Sequence, residues 1–294
     1  MISAVHAFAD EATPATRLAK ALGAPLAPID LHRFPDGESL PRVLEAAGIV
    51  AIYRSLWAPD DKILPLLLAA DALRRRGAER IVLVAPYLCY LRQDIVFHPG
   101  EPLSRDVVGR LLGERFEAVV TVEPHLHRTH DLSAVLAGAR VEVVSAAGAL
   151  ARALTPVDPN TLIVGPDAES TPWAAALARS LGVESIALAK VRRGDRDVSL
   201  TVSEPARVAG RPVILLDDIC ASGATLERAI DTLRDLGAAA IDLAIVHALF
   251  DAAAEARLIA AGARRIVSTD CRPHPTTAAF MADDLAAALN RISP

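Results

Sequence analysis

Short apolar runs rich in Val, Ile and Leu alternate along this chain with longer stretches in which Ala and Leu recur at helical spacing. This is the rhythm of βαβ units, in which each parallel strand is followed by a crossover helix. It predicts strands at Ile49–Ser55, Arg80–Ala85, Ala118–Val122, Val141–Val144, Thr161–Gly165, Ser185–Lys190, Pro212–Leu216, Ile241–His247 and Arg265–Ser268. Helices are predicted at Asp60–Arg76, Leu103–Gly113, Thr171–Leu181, Ala224–Leu236, Ala252–Ala260 and Thr277–Arg291. Pro65 lies inside the first helix, where its missing N–H predicts a kink or a later start. The strands are apolar throughout rather than alternating, which predicts sheets buried on both faces.

A proline-rich stretch near Leu154–Asn160 falls close to mid-chain and marks a domain boundary. The expected fold is therefore α/β, with two similar open parallel-sheet domains carrying helices on both faces. They span residues 1–145 and 146–294, the last helix being able to pack back on the first domain. With 52% hydrophobic residues in 294, there is material for both cores. The formal charge of −5, with no basic run, argues against extended nucleic-acid binding but not against a small anionic ligand. Cys89, Cys220 and Cys271 are widely spaced, which fits a reducing compartment without structural zinc. Neither a signal peptide nor a membrane span is legible, so the cytoplasm is the expected location.

The densest chemical signal follows the run Arg211–Leu216. The chain is expected to turn through Asp217-Asp218-Ile219-Cys220 into Ala221-Ser222-Gly223-Ala224-Thr225 and a helix. Small residues let successive N–H groups converge on one phosphate, the helix N-terminus adds its positive end, and Ser222 and Thr225 offer hydroxyls. Asp217 and Asp218 would hold ribose hydroxyls or a divalent cation beside that phosphate. The plainer reading, a strand-to-helix turn with an Asp cap, is outweighed by the number of elements that coincide.

This loop resembles the 5-phosphoribosyl-1-diphosphate (PRPP) motif shared by type I phosphoribosyltransferases and PRPP synthetases. Other segments resemble the ribose-phosphate diphosphokinase (PRPP synthetase) family, in order, over nearly the whole chain. Arg33-Phe34-Pro35-Asp36-Gly37-Glu38 is similar to R-F-x-D-G-E, which implies that Phe34, Asp36 and Glu38 reach the ATP of a neighbouring subunit. Pro86-Tyr87 through Arg92-Gln93-Asp94 resembles P-Y-x-x-Y-x-R-Q-D, an ATP-binding segment, and Glu101-Pro102-Leu103-Ser104 resembles E-P-I-S. Phe34 suits stacking on adenine, and Arg92 suits forked contact with phosphate oxygens.

Among the clustered histidines His125, His127 and His130, the resemblance selects His125 as associated with Mg²⁺, and Asp167 as lying near metal and ribose. Lys190-Val191-Arg192-Arg193-Gly194-Asp195-Arg196 resembles the family's mobile loop, which makes Lys190 and Arg192 the catalytic pair. Four cations there would neutralise charge on transferring phosphates without a protein nucleophile.

The implied reaction moves the β,γ-diphosphoryl group of ATP to O1 of ribose 5-phosphate in a homo-oligomer whose nucleotide site is shared between subunits. Ribose 5-phosphate would be bound by Asp217, Asp218 and the loop Ala221, Ser222, Gly223, Ala224 and Thr225. The departures are Ala168-Glu169-Ser170, where relatives carry two glycines, Ala221 in place of an acid, Glu123-Pro124 before His125, and Ile95–His98, which lacks basic residues. The alternatives are a phosphoribosyltransferase that consumes PRPP and a non-catalytic regulatory homologue of the synthetase.

Overall fold

A computed structural model of the chain describes residues 1–126, 131–192, 198–201 and 205–292, without the side chains of 190–192 and 198–201. It divides into two compact units, residues 1–144 with 281–294, and residues 145–280. None of the described helices is long and apolar enough to cross a membrane.

The first unit runs β1 (Ala4–Phe8), α1 (Ala12–Leu22), β2 (Leu26–Arg33), β3 (Ser39–Arg42), β4 (Gly48–Tyr53), α2 (Asp60–Arg75), β5 (Ala78–Val84), α3 (Ser104–Gly113), β6 (Ala118–Val122), α4 (Leu132–Val135) and β7 (Arg140–Val144). The sheet order is β3-β2-β1-β4-β5-β6-β7, antiparallel only at β2-β3. Val50, Ile52, Ile81, Leu83 and Val119 face a core completed by Leu66 and Leu73 of α2 and Leu112 of α3. The strands are thus apolar because both faces are covered.

The second unit holds α5 (Ala147–Leu154), β8 (Leu162–Gly165), α6 (Thr171–Leu181), β9 (Glu184–Ala187), β10 (Ala189–Arg192), β11 (Val198–Thr201), β12 (Pro212–Cys220), α7 (Ala224–Asp235), β13 (Ala240–Ala248), α8 (Ala252–Ala261), β14 (Ala263–Thr269) and β15 (Thr277–Ala279). The main sheet, β15-β14-β13-β12-β8-β9, is parallel throughout, and β10 pairs with β11 as a separate antiparallel ribbon. Helix α9 (Ala282–Ile292) belongs to the first unit, where it packs on α1 and β7.

Both sheets reverse direction once. In the first unit the chain steps from β1 out to β2, then returns to the other side of β1 with β4. In the second it steps from β8 to β9 and returns with β12. Such a switch point splays the loops that leave the two central strands and opens a crevice at their carboxyl ends. The first unit closes this crevice with its own side chains. The Glu11 carboxylate, 2% exposed, accepts the Ser55 N–H at 3.0 and 3.1 Å and pairs with Lys62 Nζ at 2.7 Å. Arg54 reaches Asp10 at 2.6 Å. Burial raises the pKa of Glu11 and lowers that of Lys62, so their mutual attraction works against desolvation.

Several expected boundaries need correction. The segment Thr277–Arg291 is not one helix but the short strand β15 followed by α9, because its first residues pair with Ser268 and Thr269. Ser185–Lys190 divides between β9, in the sheet, and β10, in the ribbon. Helix α2 starts at Asp60 and runs through Pro65, so Pro65 does not delay it. The elements β1, α1, β2, β3 and α5 were not anticipated by the apolar pattern.

His6, in the middle of β1, is 1% exposed, and neither ring nitrogen has a hydrogen-bond partner. Desolvation lowers its pKa from 6.5 to about 4. The unfolded chain therefore takes up the proton first, and stability falls as pH drops from 6.5 toward 4. Replacing His6 with Leu removes a buried imidazole that makes no bonds. Thermal denaturation of His6→Leu should show a gain of about 1–2 kcal/mol at neutral pH and a flatter decline of stability between those two pH values.

Candidate active site

The switch point of the second unit gathers Asp167 after β8 and Asp217, Asp218 and the following loop from β12. The acidic pair is not in a turn, as expected, but in the strand itself. β12 continues to Cys220, which stands opposite Ala248, and the Leu249 N–H donates to the Cys220 carbonyl at 2.8 Å. Sheet pairing thus carries both carboxylates to the rim. There the Asp218 N–H donates to Asp217 Oδ1 at 3.1 Å, and the Ile219 N–H to Asp218 Oδ1 at 2.8 Å. Desolvation, then the Asp218 and Asp167 carboxylates, hold the Asp217 carboxyl well above its ordinary pKa. A second positive charge brought to this rim would relieve that repulsion.

Ala221 and Ser222 are exposed, and Gly223 takes φ +82°, a left-handed conformation that favours glycine, at the N-cap of α7. The Ala224 N–H lies 3.4 Å from Ser222 Oγ. The first amides of α7, at Ala224, Thr225 and Leu226, have no acceptor within the helix and form the positive end of its dipole. Beneath the loop, the Cys220 thiol is buried, and desolvation and Asp217 push its pKa up to about 12. From the side, Arg257 of α8 donates Nη2 to the Ser222 carbonyl at 2.8 Å and Nε to Glu227 at 3.0 Å. Sequence reasoning did not single out Arg257, because only the packing of α8 on α7 brings it across 35 residues to the loop.

Asp167 caps the short turn Ala168–Ser170 rather than the helix α6 that follows. Its Oδ1 accepts from the N–H groups of Glu169 at 3.2 Å and Ser170 at 3.3 Å. Gly165, at the end of β8, lets this turn fold back: a Cβ there would lie 2.9 Å from the Ser170 Cβ. Glu169, the departure from two glycines, is exposed.

Lys190 and Arg192 lie on β10 opposite Leu200 and Val198 of β11, two residues apart and so on one face of the ribbon. Arg193, Gly194, Asp195 and Arg196 lie outside the described residues, as do His127 and His130.

In the first unit, Phe34–Glu38 is the connection between β2 and β3, closed by the Phe34 N–H on the Glu38 carbonyl at 2.9 Å and the Glu38 N–H on Asp36 at 3.1 Å. Phe34 is 39% exposed and meets His32 edge-to-face at 4.5 Å. Arg92 and Gln93 are exposed and Asp94 is half-buried. They follow Tyr90, whose hydroxyl bonds Asp60, and the Gln93 N–H closes a turn on the Tyr90 carbonyl at 3.0 Å. His125 is half-buried just after β6.

Residues 5–115 match the N-terminal domain of ribose phosphate pyrophosphokinase, and residues 147–278 match a phosphoribosyl transferase domain. The chain is 36% identical over 281 residues to a ribose-phosphate pyrophosphokinase of Methanopyrus kandleri, covering 94% of this chain and 95% of the other. It is 34% identical over 229 residues to one of Thermococcus kodakarensis, covering 78% and 80%. Its fold is similar to the crystal structure of phosphoribosylpyrophosphate synthetase from Mycobacterium smegmatis, with a TM-score of 0.82, 25% identity and 99% of each chain covered.

The raised Asp217 pKa fixes a sign. Its contribution to stability is fully present below the unfolded value of 3.8 and is lost as pH rises through the folded value, so the ionised group destabilises the unliganded fold at neutral pH. Asp217→Asn should therefore raise the Tm of the ligand-free protein at neutral pH, with the gain shrinking as pH falls toward 3.8. A scanning-calorimetry series over pH would contradict this reading if the variant melted lower at neutral pH.

Proposed function

Because the chain belongs to the ribose-phosphate pyrophosphokinase family, we propose that it is a ribose-phosphate diphosphokinase, forming PRPP and AMP from ATP and ribose 5-phosphate. The observation that carries this reading is the loop at the second switch point, with small residues, open helix amides and crowded carboxylates in one place. The match of residues 5–115 to the N-terminal pyrophosphokinase domain favours synthesis of PRPP over its consumption.

The 5-phosphate of the acceptor is held by Ser222, Gly223, Ala224 and Thr225, with Ala221 at the mouth of the loop, through backbone N–H groups and two hydroxyls. Asp217 and Asp218 accept hydrogen bonds from the ribose hydroxyls and so direct the O1 oxygen. That oxygen attacks the β-phosphorus of ATP, and its proton passes to water. The bond from the β-phosphorus to the oxygen bridging it to the α-phosphorus breaks, and AMP departs with that oxygen. Lys190 and Arg192 neutralise charge on the diphosphoryl group in flight. Phe34 stacks on adenine, Asp36 and Glu38 take its polar edge and the ribose, and Arg92, Gln93 and Asp94 orient the triphosphate. Phe34, Asp36 and Glu38 serve a neighbouring subunit's nucleotide, which makes a homo-oligomer the active form. A reducing cytoplasm suits the buried thiols of Cys89, Cys220 and Cys271.

The donor set fits Mg²⁺. Asp217 is crowded by Asp218 and Asp167, yet among the described residues no three His, Cys, Asp or Glu side chains could cage an ion. Such a rim suits a hard cation that keeps water and substrate oxygens as its other ligands. Asp167 is the residue of this rim we assign to hold it, and His125, after β6 of the first unit, is assigned to Mg²⁺ on the family resemblance. When bound, Mg²⁺ would supply positive charge that stabilises the transferring phosphates.

Formation of AMP from ATP and ribose 5-phosphate with Mg²⁺ tests the reaction, and its absence over a range of nucleotide donors would sink it. Lys190→Ala should lower kcat by roughly 10²–10³-fold while the KM for ribose 5-phosphate moves only a few-fold. Phe34→Ala should raise the KM for ATP about 10-fold through loss of one stacking contact, with ribose 5-phosphate little affected.

A further inference from the structure

The loop Ala221–Gly223 is held less by its own turn than by α8. Arg257 commits two nitrogens to the brace, Nη2 on the Ser222 carbonyl at 2.8 Å and Nε on Glu227 at 3.0 Å. Leu258, the next residue, packs beside Gly223, where a Cβ would make ordinary van der Waals contact with Leu258 Cγ at 3.5 Å. Asp251 fixes the start of α8 by accepting the Ala254 N–H at 2.8 Å. The guanidinium charge is balanced by Glu227, so Arg257 contributes mainly by geometry rather than as a bare cation. A peptide plane is rigid, so a bond to the Ser222 carbonyl fixes the plane it shares with the Gly223 N–H. Without it, the loop would have to be ordered by the incoming phosphate, at an entropic cost.

We propose that Arg257, aimed by Glu227, is a positioning residue that presets the 221–225 loop for the sugar phosphate. This rests on the reading that the loop binds ribose 5-phosphate. Steady-state kinetics in both substrates and calorimetric titration with ribose 5-phosphate, on the full chain with Mg²⁺, provide the test. Arg257→Ala should raise the KM for ribose 5-phosphate about 10-fold, the size expected from losing a charged hydrogen bond. The KM for ATP, and kcat at saturation, should stay within about 2-fold. Arg257→Lys, keeping one donor, should recover part of the loss, and Glu227→Gln should raise the same KM by about 2–3-fold.

An unchanged KM for ribose 5-phosphate in Arg257→Ala, or an equal rise in both KM values, would overturn the proposal. If that variant fails to fold, as judged by circular dichroism, Glu227→Gln decides by the same measurements. The double variant Ser222→Ala, Thr225→Ala separates the two ideas. If it leaves ribose 5-phosphate binding intact, the loop assignment itself is wrong. If it weakens binding while Arg257→Ala does not, only the brace is wrong.

Discussion

Parallel pairing is the constraint on which this architecture turns. Strands that run the same way must be joined by crossovers, so every loop that follows a strand emerges on one edge of the sheet. The sheet orders then decide where those loops part. In both units that point lies between the first strand and the strand returning beside it, β1 with β4 and β8 with β12. One plan thus gives two crevices with different contents. In the first unit, Glu11 takes the Ser55 N–H and the Lys62 ammonium for itself, and the crevice is filled by protein. In the second, the Asp217 carboxyl meets those of Asp218 and Asp167 at the rim, near the N-terminus of α7.

That difference has an energetic side. The Glu11–Lys62 pair satisfies its members mutually, at the cost of removing both from water. Asp217 is pressed instead by two like charges, those of Asp218 and Asp167. A fold selected for stability alone would not crowd acids at the end of β12. Here the crowding makes sense as a site whose electrostatic balance is restored by ligand and cation, a familiar exchange of stability for activity.

The βαβ rhythm and the phosphate loop were legible because each rests on local pattern: continuous apolar runs, small residues and an acidic pair. What escaped has identifiable causes. His6 interrupts β1 with a polar residue that only the folded core reveals as neutral and buried. Pro28 and Pro41 break the pattern of β2 and β3. β3 is the sheet edge, where proline is tolerated, and it pairs β2 only from Asp30 onward. Asp217 and Asp218 read as turn residues because carboxylates are rare in buried strands, yet pairing with β13 extends the strand to Cys220. Arg257 carried no signal at all, since its meaning depends on which face of α8 meets α7.

Cys220 ends the strand that leads into the loop, and its thiol is buried, with its pKa raised to about 12 by desolvation and Asp217. A cysteine leading into an exposed loop would ordinarily be a point of chemical vulnerability, because thiolates are what oxidants and alkylating agents attack. Burial and the raised pKa keep this one protonated and enclosed. The loop at residues 221–225 is therefore built beside a cysteine whose burial disfavours the reactive thiolate.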